Sequence, residues 1–337
     1  MKSSSFIFVC ALMVFHMALG QQTNDSIAIA DIRIRDPFIL TDTVNQQYYM
    51  YAQTDNRLGF RGQDNQLKGV EVYTSKDLKT WSAPKTVLRL PDPYWARHMV
   101  WAPEVHANQG KYYLFVTLTS SDTLPAPKGM ESKTGWPKFH KRGTQIFVSD
   151  SPTGPFRDFE NKPHTPTDWM ALDGTLFVED ETPYMIFCHE WVQIVDGSMD
   201  YVQLSPDLST TIGQPIKMFN ASEAAWSTSK KNKVTDGCYL YRTKTGKLLM
   251  IWSSFGEAGY AIGIAESESG KLAGPWKQQP QLLFQKNGGH GMLFHNLQGQ
   301  LTLALHQPNG PRGKERLKLF AITNLGDTLS LKNKASN

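Results

Sequence analysis

The chain repeats one pattern of apolar and polar positions five times. Each repeat contains an alternating apolar run that reaches a Ser or Thr and continues into a polar turn. The five runs are VYTSKDLKTW at 72–81, IFVSDSPTGPF at 146–156, VQLSPDLST at 202–210, IGIAESESGKLAGPW at 262–276 and LFAITNLGD at 319–327. They recur at intervals of about 55 to 75 residues, and a unit of this kind with several strands is typical of a β-propeller blade. Five repeats therefore predict an all-β fold of five blades.

Short β-rich runs separated by Gly or polar turns precede each of these phrases. Tight turns between such runs predict antiparallel hairpins. No segment keeps an apolar period of 3.6 residues, so no long helix is expected. We predict that the first run of each repeat is the innermost strand of its blade. These first runs are Pro37 to Leu40, Pro103 to Ala107, Gly174 to Val178, Gly237 to Arg242 and Gly291 to His295.

The first 20 residues have the pattern of a secretory signal. Lys2 precedes an apolar run from Phe6 to Leu19, and small residues lead to a cleavage point before Gln21. We therefore expect residues 1–20 to be a signal peptide and 21–337 to be one catalytic propeller, periplasmic or secreted. No other stretch approaches the length of about 18 apolar residues that spans a membrane, so membrane insertion is not expected.

Charge and cysteine usage narrow the possible partners. The formal net charge of +4 is too small to indicate a nucleic-acid-binding protein. Cys188 and Cys238 remain after removal of the signal, and their apolar contexts favour buried free thiols. A disulfide bond between adjacent blades is the alternative in an exported protein, and sequence spacing does not decide between the two. A monomer is expected.

A polar or ionisable residue stands just ahead of, or at the start of, each predicted innermost strand. Four carboxylates and a histidine around one axis are costly unless they bind a ligand or share protons. Asp-Gly and Asp-Pro are also ordinary turn formers, but occupation of a similar place in all five repeats favours a shared site. The five residues are Asp36, Glu104, Asp173, Asp236 and His290.

The ordered set RDPF (35–38), WAPEV (101–105), an Asp-led third repeat and GGHG (288–291) resembles glycoside hydrolase family 43. The resemblance covers residues from about 30 to 325 and implies a five-bladed propeller that hydrolyses glycosides with inversion. It implies that Asp36 is the general base and that Asp173 orients the general acid and tunes its pKa. No cofactor is required. A structural calcium ion at the axis, with His290 as a candidate ligand, is implied by the resemblance alone.

The sequence departs from the family where the general acid is expected. A Glu-Gly-Pro-like motif usually opens the fourth blade, whereas this chain has Thr235-Asp236-Gly237. Glu190 closes an apolar strand beside Trp191, where burial and Asp173 are expected to raise its pKa. We therefore predict that Glu190 is the acid and that the shorter Asp236 binds a sugar hydroxyl. Asp236 and Glu223 remain alternatives for the acid.

The remaining substrate contacts are predicted from aromatic residues near these motifs. Aromatic rings stack on the apolar faces of sugars, although a single such ring is more often part of the core. Long insertions at 55–69 and 122–143 are expected to wall the pocket. The predicted substrate-binding residues are Asp236, Glu104, Trp101, Phe38, Trp191 and His290.

Together these features predict an exported inverting glycosidase that releases a terminal pentose, α-L-arabinofuranose, from a plant cell-wall polysaccharide or oligosaccharide. A β-xylosidase or exo-galactanase of the same fold is the near alternative, since nothing in the sequence reports the anomeric configuration. A glycoside phosphorylase would need a basic phosphate cradle, which the acidic hub disfavours. A non-catalytic sugar-binding propeller stays open because the fourth-blade Glu is missing.

Overall fold

Five four-stranded antiparallel sheets make up the structure, a computed structural model that describes residues 26–54, 68–131, 135–228 and 233–332. The sheets are arranged in a ring, which confirms the predicted five-bladed propeller. In each blade the strands follow the chain order from the axis outwards. The predicted signal peptide, its cleavage point and most of the insertion at 55–69 lie outside the described residues.

The strand bounds follow the sequence repeats. Blade 1 contains β2 (Phe38–Asp42), β3 (Gln47–Gln53), β4 (Gly69–Ser75) and β6 (Lys85–Arg89). Blade 2 contains β7 (Met99–Asn108), β8 (Lys111–Thr123), β9 (His140–Ser149) and β10 (Arg157–Asp158). Blade 3 contains β11 (Ala171–Glu179), β12 (Thr182–His189), β13 (Ser198–Leu204) and β14 (Thr211–Asn220). Blade 4 contains β15 (Asp236–Arg242), β16 (Leu248–Gly256), β17 (Gly259–Ser267) and β18 (Trp276–Gln278). Blade 5 contains β19 (Gly289–His295), β20 (Leu301–Gln307), β21 (Arg316–Asn324) and β22 (Leu329–Leu331).

Helices are short in the described ranges. They are one α-helical turn at Trp191–Ile194 and 3₁₀ turns at Ile29–Asp31 and Ala221–Glu223. A further two-stranded sheet joins β1 (Ile27–Ala28) to β5 (Thr80–Trp81). None of the described helices is long and apolar enough to span a bilayer.

The core lies between neighbouring blades rather than inside any one of them. The second strand of a blade is covered on both faces, so its residues are apolar without alternation, as in Leu249, Met250 and Ile251, all of which are fully buried. Apolar side chains from adjacent blades pool into clusters, one of which joins blades 3 and 4 around Trp252. Burial of these faces fixes the ring and therefore the distances across its axis.

The innermost strands share a backbone irregularity near the axis. In blades 2 to 5 an extra residue breaks the register directly after Trp101, Leu172, Asp236 and Gly289. The residue that follows each of these has a positive φ, and so does Asp36, two residues before β2. These positive-φ residues are Asp36, Ala102, Asp173, Gly237 and His290. A bulge of this kind re-aims the side chains around it, here toward the axis.

This register corrects the predicted hub. Asp36, Asp173 and His290 occupy equivalent positions, as expected. Glu104, however, lies two residues beyond the equivalent Ala102, and Asp236 lies one residue before the equivalent Gly237. The bulge adds a residue that the alternation of apolar and polar positions does not reveal, so the predicted equivalence was wrong in blades 2 and 4.

The ring is closed by contacts between the segment before blade 1 and blade 5. Ile34 N donates to the Glu315 carbonyl at 3.4 Å, and Arg316 Nε donates to the Ala30 carbonyl at 2.7 Å. The carboxylate of Glu315 is fully buried and lies 3.2 Å from Arg33 Nε. Arg35 Nη1 lies 3.6 Å from the other oxygen of the same carboxylate. One buried anion therefore pairs with two cations at the seam.

We expect Glu315→Gln to destabilise the protein strongly, because it leaves Arg33 and Arg35 without their shared buried counter-charge. Breaking a buried ion pair in this way costs about 3–5 kcal/mol. Urea unfolding measures the change in the free energy of unfolding. The exposed pair Lys111–Asp150, with an N–O distance of 2.7 Å, is the control. Its variant Asp150→Asn should leave the free energy of unfolding almost unchanged, because solvent screens an exposed pair. Equal costs for the two variants would contradict the role given to Glu315.

Candidate active site

A cavity of about 480 Å³ opens at the axis, and four acidic side chains enter it from blades 1, 3 and 4. Asp36 enters from the start of blade 1, Asp236 from blade 4, and Asp173 and Glu190 from blade 3. The lining also includes Trp101, Trp191, His290, Leu172, Arg33 and Arg35. Sequence-distant carboxyl groups thus share one partly enclosed space, as the propeller topology requires.

Asp36 is held in its ionised form. Burial alone raises the pKa of this carboxyl, but the charges of His290 and Arg35 outweigh burial and bring the pKa below its ordinary value. Asp36 Oδ1 lies 3.3 Å from His290 Nδ1 and 3.7 Å from Arg35 Nε. The Asp36 backbone N–H donates to His306 Nδ1 at 3.2 Å, which fixes the backbone of Asp36 before blade 1. A buried carboxylate that stays ionised is suited to accept a proton.

His306 supports Asp36 from below as a neutral ring. Burial lowers the pKa of His306. Because its Nδ1 accepts the Asp36 N–H, its proton is on Nε2, 3.0 Å from Asn309 Oδ1. Asn309 also accepts from Arg35 Nη2 at 2.9 Å. Asp36 is therefore oriented by a chain of hydrogen bonds that reaches blade 5.

Asp173 and Asp236 bind their protons more tightly than an ordinary aspartate, in contrast to Asp36. Burial and the nearby Asp36 charge raise the pKa of Asp173 well above its ordinary value. Burial and Asp173 raise the pKa of Asp236 to about 8. Gly237 N donates to Asp173 Oδ2 at 3.1 Å, and the Tyr260 hydroxyl donates to Asp236 Oδ2 at 2.9 Å. The two carboxyl groups on this side of the cavity therefore keep their protons to higher pH than Asp36 does.

Glu190 lies at the rim with a cation against it. Burial raises the pKa of Glu190, whereas the Arg142 guanidinium bound to its carboxylate lowers it. Arg142 is itself buried; its guanidinium carbon is 4.3 Å from the centre of the Trp101 ring, and its Nε donates to Thr119 Oγ1 at 2.9 Å. The net shift follows burial, but Arg142 stabilises the charged form of Glu190 directly.

His290 bridges the two aspartates of the axis. Its Nδ1 is 3.3 Å from Asp36 Oδ1 and 3.7 Å from Asp173 Oδ2, and its backbone N–H donates to Ser253 Oγ at 2.8 Å. Among the described residues no three His, Cys, Asp or Glu side chains form a group suited to hold a metal ion. The observed role of His290 is thus to pair with carboxylates, and a calcium ion stays a prediction from the resemblance.

Three residues considered for the site lie away from the cavity lining. Glu104 is buried beneath it and pairs with His106, whose Nε2 is 3.0 Å from Glu104 Oε2. Phe38 packs in the core, edge-on to the His106 ring at 5.0 Å. Glu223 is exposed and accepts from the Asn220 backbone N–H at 2.8 Å as part of a capping box. A surface cap of this kind has no access to the axis.

Two residues that contact the cavity carboxyl groups from behind the lining escaped the sequence analysis. Tyr260 bonds to Asp236 and Arg142 to Glu190. Both lie on third strands whose pattern is that of ordinary core, and nothing in their sequence context marks them. Cys188 and Cys238 are buried free thiols in contact with each other, and Cys238 Sγ lies 3.4 Å from the Asp173 carbonyl oxygen.

Comparisons with known proteins agree with this arrangement. The model of the glycosyl hydrolases family 43 matches residues 27–321. The chain is 28% identical over 151 residues to the extracellular endo-α-(1→5)-L-arabinanase 1 of Bacillus subtilis (strain 168). That match spans 41% of this chain and 41% of the relative's length.

Solved structures extend the likeness to the whole propeller. An endo-arabinase from Bacteroides thetaiotaomicron VPI-5482 is 40% identical, with a TM-score of 0.73, and the match covers 88% of this chain and 96% of that one. A thermostable family-43 glycoside hydrolase is 21% identical, with a TM-score of 0.71 and coverage of 90% and 93%. The second likeness concerns the fold alone.

Proposed function

Because the chain belongs to glycosyl hydrolase family 43, it is a glycoside hydrolase, and we propose that it hydrolyses α-1,5-linked arabinofuranosyl bonds of plant arabinan with inversion of configuration. The observation that carries the proposal is that one cavity contains a carboxyl group with a lowered pKa and another with a raised pKa. Asp36 is ionised, whereas Asp236 has a pKa of about 8. Inverting hydrolysis needs an ionised carboxylate, which activates a water molecule on one face of the sugar, and a protonated carboxyl group on the other side that reaches the leaving oxygen.

In this mechanism Asp36 removes a proton from water as it attacks the anomeric carbon. An acid across the sugar gives its proton to the departing oxygen, so that no covalent intermediate forms. Asp173, between Asp36 and Asp236, raises the pKa of the acid by its proximity and holds Gly237 at the start of blade 4. Trp101 and Trp191 offer flat apolar surfaces for the sugar rings.

We propose Asp236 as the acid in place of Glu190. Arg142 favours the ionised form of Glu190, whereas Asp173 favours the protonated form of Asp236. Asp236 also occupies the place, directly before Gly237, where the family resemblance puts the acid. Glu190 is the second candidate, because burial raises its pKa and it lies in the same cavity. In the leading assignment Glu190 contacts the sugar hydroxyls at the rim, and the buried Arg142 holds its carboxylate in place.

The choice of arabinan rests on similarity. The 40% identical structure and the curated relative are both named as endo-acting arabinan-cleaving enzymes. We therefore propose cleavage within the polymer, in contrast to the release of a terminal pentose expected from sequence alone. The named location of the extracellular relative supports export of this chain as well.

Digestion of linear arabinan tests the proposal. We expect a mixture of short arabino-oligosaccharides at early times, with β-configured reducing ends in the first NMR spectra. Xylan and β-1,3-galactan serve as parallel substrates, and each digest is run with and without phosphate. Release of arabinose alone would favour the terminal mode of action. Hydrolysis of xylan or galactan but not arabinan, or a phosphate requirement, would refute the proposed function.

The pKa directions predict the pH dependence of kcat/KM. The base must be ionised, and because the pKa of Asp36 is lowered, its protonation limits activity only in strong acid. The acid must be protonated, so activity falls as the pH rises through about 8, the pKa of Asp236. The apparent value belongs to the coupled cluster of carboxyl groups. An initial-rate profile with an aryl α-L-arabinofuranoside measures it, and an alkaline limb below pH 6 would contradict the assignment.

A further inference from the structure

We propose that the tip of the β8–β9 hairpin forms a second carbohydrate-binding site, which holds the same polysaccharide chain a few sugars away from the cleaved bond. The hairpin tip comprises residues 123–131 and 135–139. The inference rests on the proposed function in one respect, since it takes the ligand to be a further stretch of the polymer substrate.

The hairpin tip borders a cavity of about 430 Å³ that is widely open to solvent and lies within the size range of sites that take small organic ligands. Aromatic and apolar groups alternate there with groups that can hydrogen-bond, a combination that suits a sugar, which has apolar ring faces and hydroxyl edges. The lining residues are Thr123, Leu124, Ala126, Met130, Glu131, Trp136, Pro137, Lys138 and Phe139.

Trp136 connects this cavity to the catalytic one. Its ring meets the Trp191 ring edge to face, with centroids 5.3 Å apart and an interplanar angle of 76°. Its Nε1 donates to the Val192 carbonyl at 2.7 Å, so the indole is held by a hydrogen bond as well as by packing. Trp191 lines the catalytic cavity and Trp136 lines the hairpin-tip cavity. A polymer that leaves the catalytic cavity past Trp191 therefore reaches Trp136 next.

The hairpin tip is built as an extension of the blade. Strand β8 has 13 residues, and its pairing with β9 reaches Thr123 and His140. The Leu124 backbone N–H then donates to the Phe139 carbonyl at 2.6 Å, which continues the ladder into the tip. The ladder therefore fixes the base of the tip at Leu124 and Phe139, which reduces the conformational entropy that these two lining residues lose on binding.

Kinetics on long and short substrates test the proposal. We expect Trp136→Ala and Phe139→Ala each to raise KM for linear arabinan about tenfold with kcat nearly unchanged. Such a split indicates loss of binding that is equal in ground and transition states. The kcat/KM for an aryl α-L-arabinofuranoside, which is too short to reach the hairpin tip, should change less than twofold. Trp136→Phe should restore part of the affinity for the polymer.

Tyr112→Ala is the matched control. Tyr112 is an aromatic residue on β8 too, but it lies at the opposite end of the strand, where it pairs with Ser149. Its loss should leave the ratio of polymer to aryl-glycoside activity unchanged. An equal fall on both substrates for Trp136→Ala and Phe139→Ala would show that the hairpin tip only supports Trp191, and would overturn the proposal.

A binding assay separates this inference from the proposed function. Each change is placed in the Asp36→Asn background, and the proteins are run in native gels that contain arabinan, xylan or β-1,3-galactan. Retardation by any one polymer that weakens on loss of Trp136 and Phe139 supports the second site, whichever polymer the enzyme cleaves. The second site is overturned if arabinan retards the protein equally with and without the two changes, or if no polymer retards it. In either case, hydrolysis of arabinan by the wild-type enzyme would still support the proposed function.

Discussion

Asp36→Asn is expected to lower kcat/KM by about two to four powers of ten, the usual contribution of a general base. The amide preserves the size of the side chain but accepts no proton from water. The loss should appear on natural and aryl glycosides alike, because the attack of water is common to both. Steady-state rates measured with arabinan and with an aryl α-L-arabinofuranoside give the two values.

Two controls separate the loss of the base from a general structural defect. The variant should bind arabino-oligosaccharides in calorimetry with an affinity close to that of the wild-type protein. Added azide, a nucleophile that needs no deprotonation, should restore turnover of an activated aryl glycoside. Near-wild-type rates, or a lost rate that azide does not recover in a protein that still binds sugar, would remove Asp36 from the role of base.

Asp236→Asn is expected to show a dependence on the leaving group. Natural arabinan, whose departing sugar oxygen needs a proton, should lose about two to four powers of ten in kcat/KM. A dinitrophenyl arabinofuranoside, whose phenolate leaves without assistance, should lose less than about tenfold. The Tyr260 hydroxyl can still donate to the amide oxygen, so the local structure should survive.

Glu190→Gln is the comparison that decides between the two acids. If Glu190 contacts the sugar at the rim, its loss should affect both leaving groups to a similar extent. The alkaline limb of the pH profile should also remain near pH 8. If Glu190→Gln shows the leaving-group dependence and Asp236→Asn does not, the proton comes from Glu190 and the two roles are exchanged.

The ring of blades could be predicted from sequence because its physical cause is repetitive. Each blade must cover both faces of its second strand, so the same strand pattern recurs in every blade. The five repeated phrases show this recurrence, and they contain Ser75, Ser149, Ser205, Ser267 and Thr323. The same phrases fall on the third strand of every blade, so the number of blades and their strand order followed directly.

The site could be predicted only in part, because its geometry depends on the bulges in the inner strands of blades 2 to 5, each of which adds one residue. Asp36, Asp173 and His290 lie at the positive-φ position of their blades, where counting from the repeats had placed them. Glu104 lies two residues past that position, beneath the cavity floor, and packs against His106. A bulge leaves no trace in apolar alternation, so counting alone could not separate these cases.

Proton affinities were further out of reach, since they depend on neighbours from other blades. The apolar strand before Glu190 correctly indicated burial, but Arg142, 48 residues earlier and on another blade, could not be inferred to bind its carboxylate. In the same way, the raised pKa of Asp236 comes from burial and from Asp173 across the blade boundary. These contacts between blades form only when the ring has closed, so the pKa shifts that they cause cannot be predicted from the sequence.

Closure of the ring through Glu315 makes the order of synthesis matter. Arg33 and Arg35, next to the base, emerge from the ribosome almost 300 residues before the carboxylate that holds them, and His306 and Asn309, which orient Asp36, also come from the last blade. A growing chain therefore carries Asp36 without these partners until blade 5 has been synthesised. Truncation before blade 5 removes Glu315, His306 and Asn309 together, so the arrangement of the carboxyl groups at the axis depends on the last blade as much as on the first.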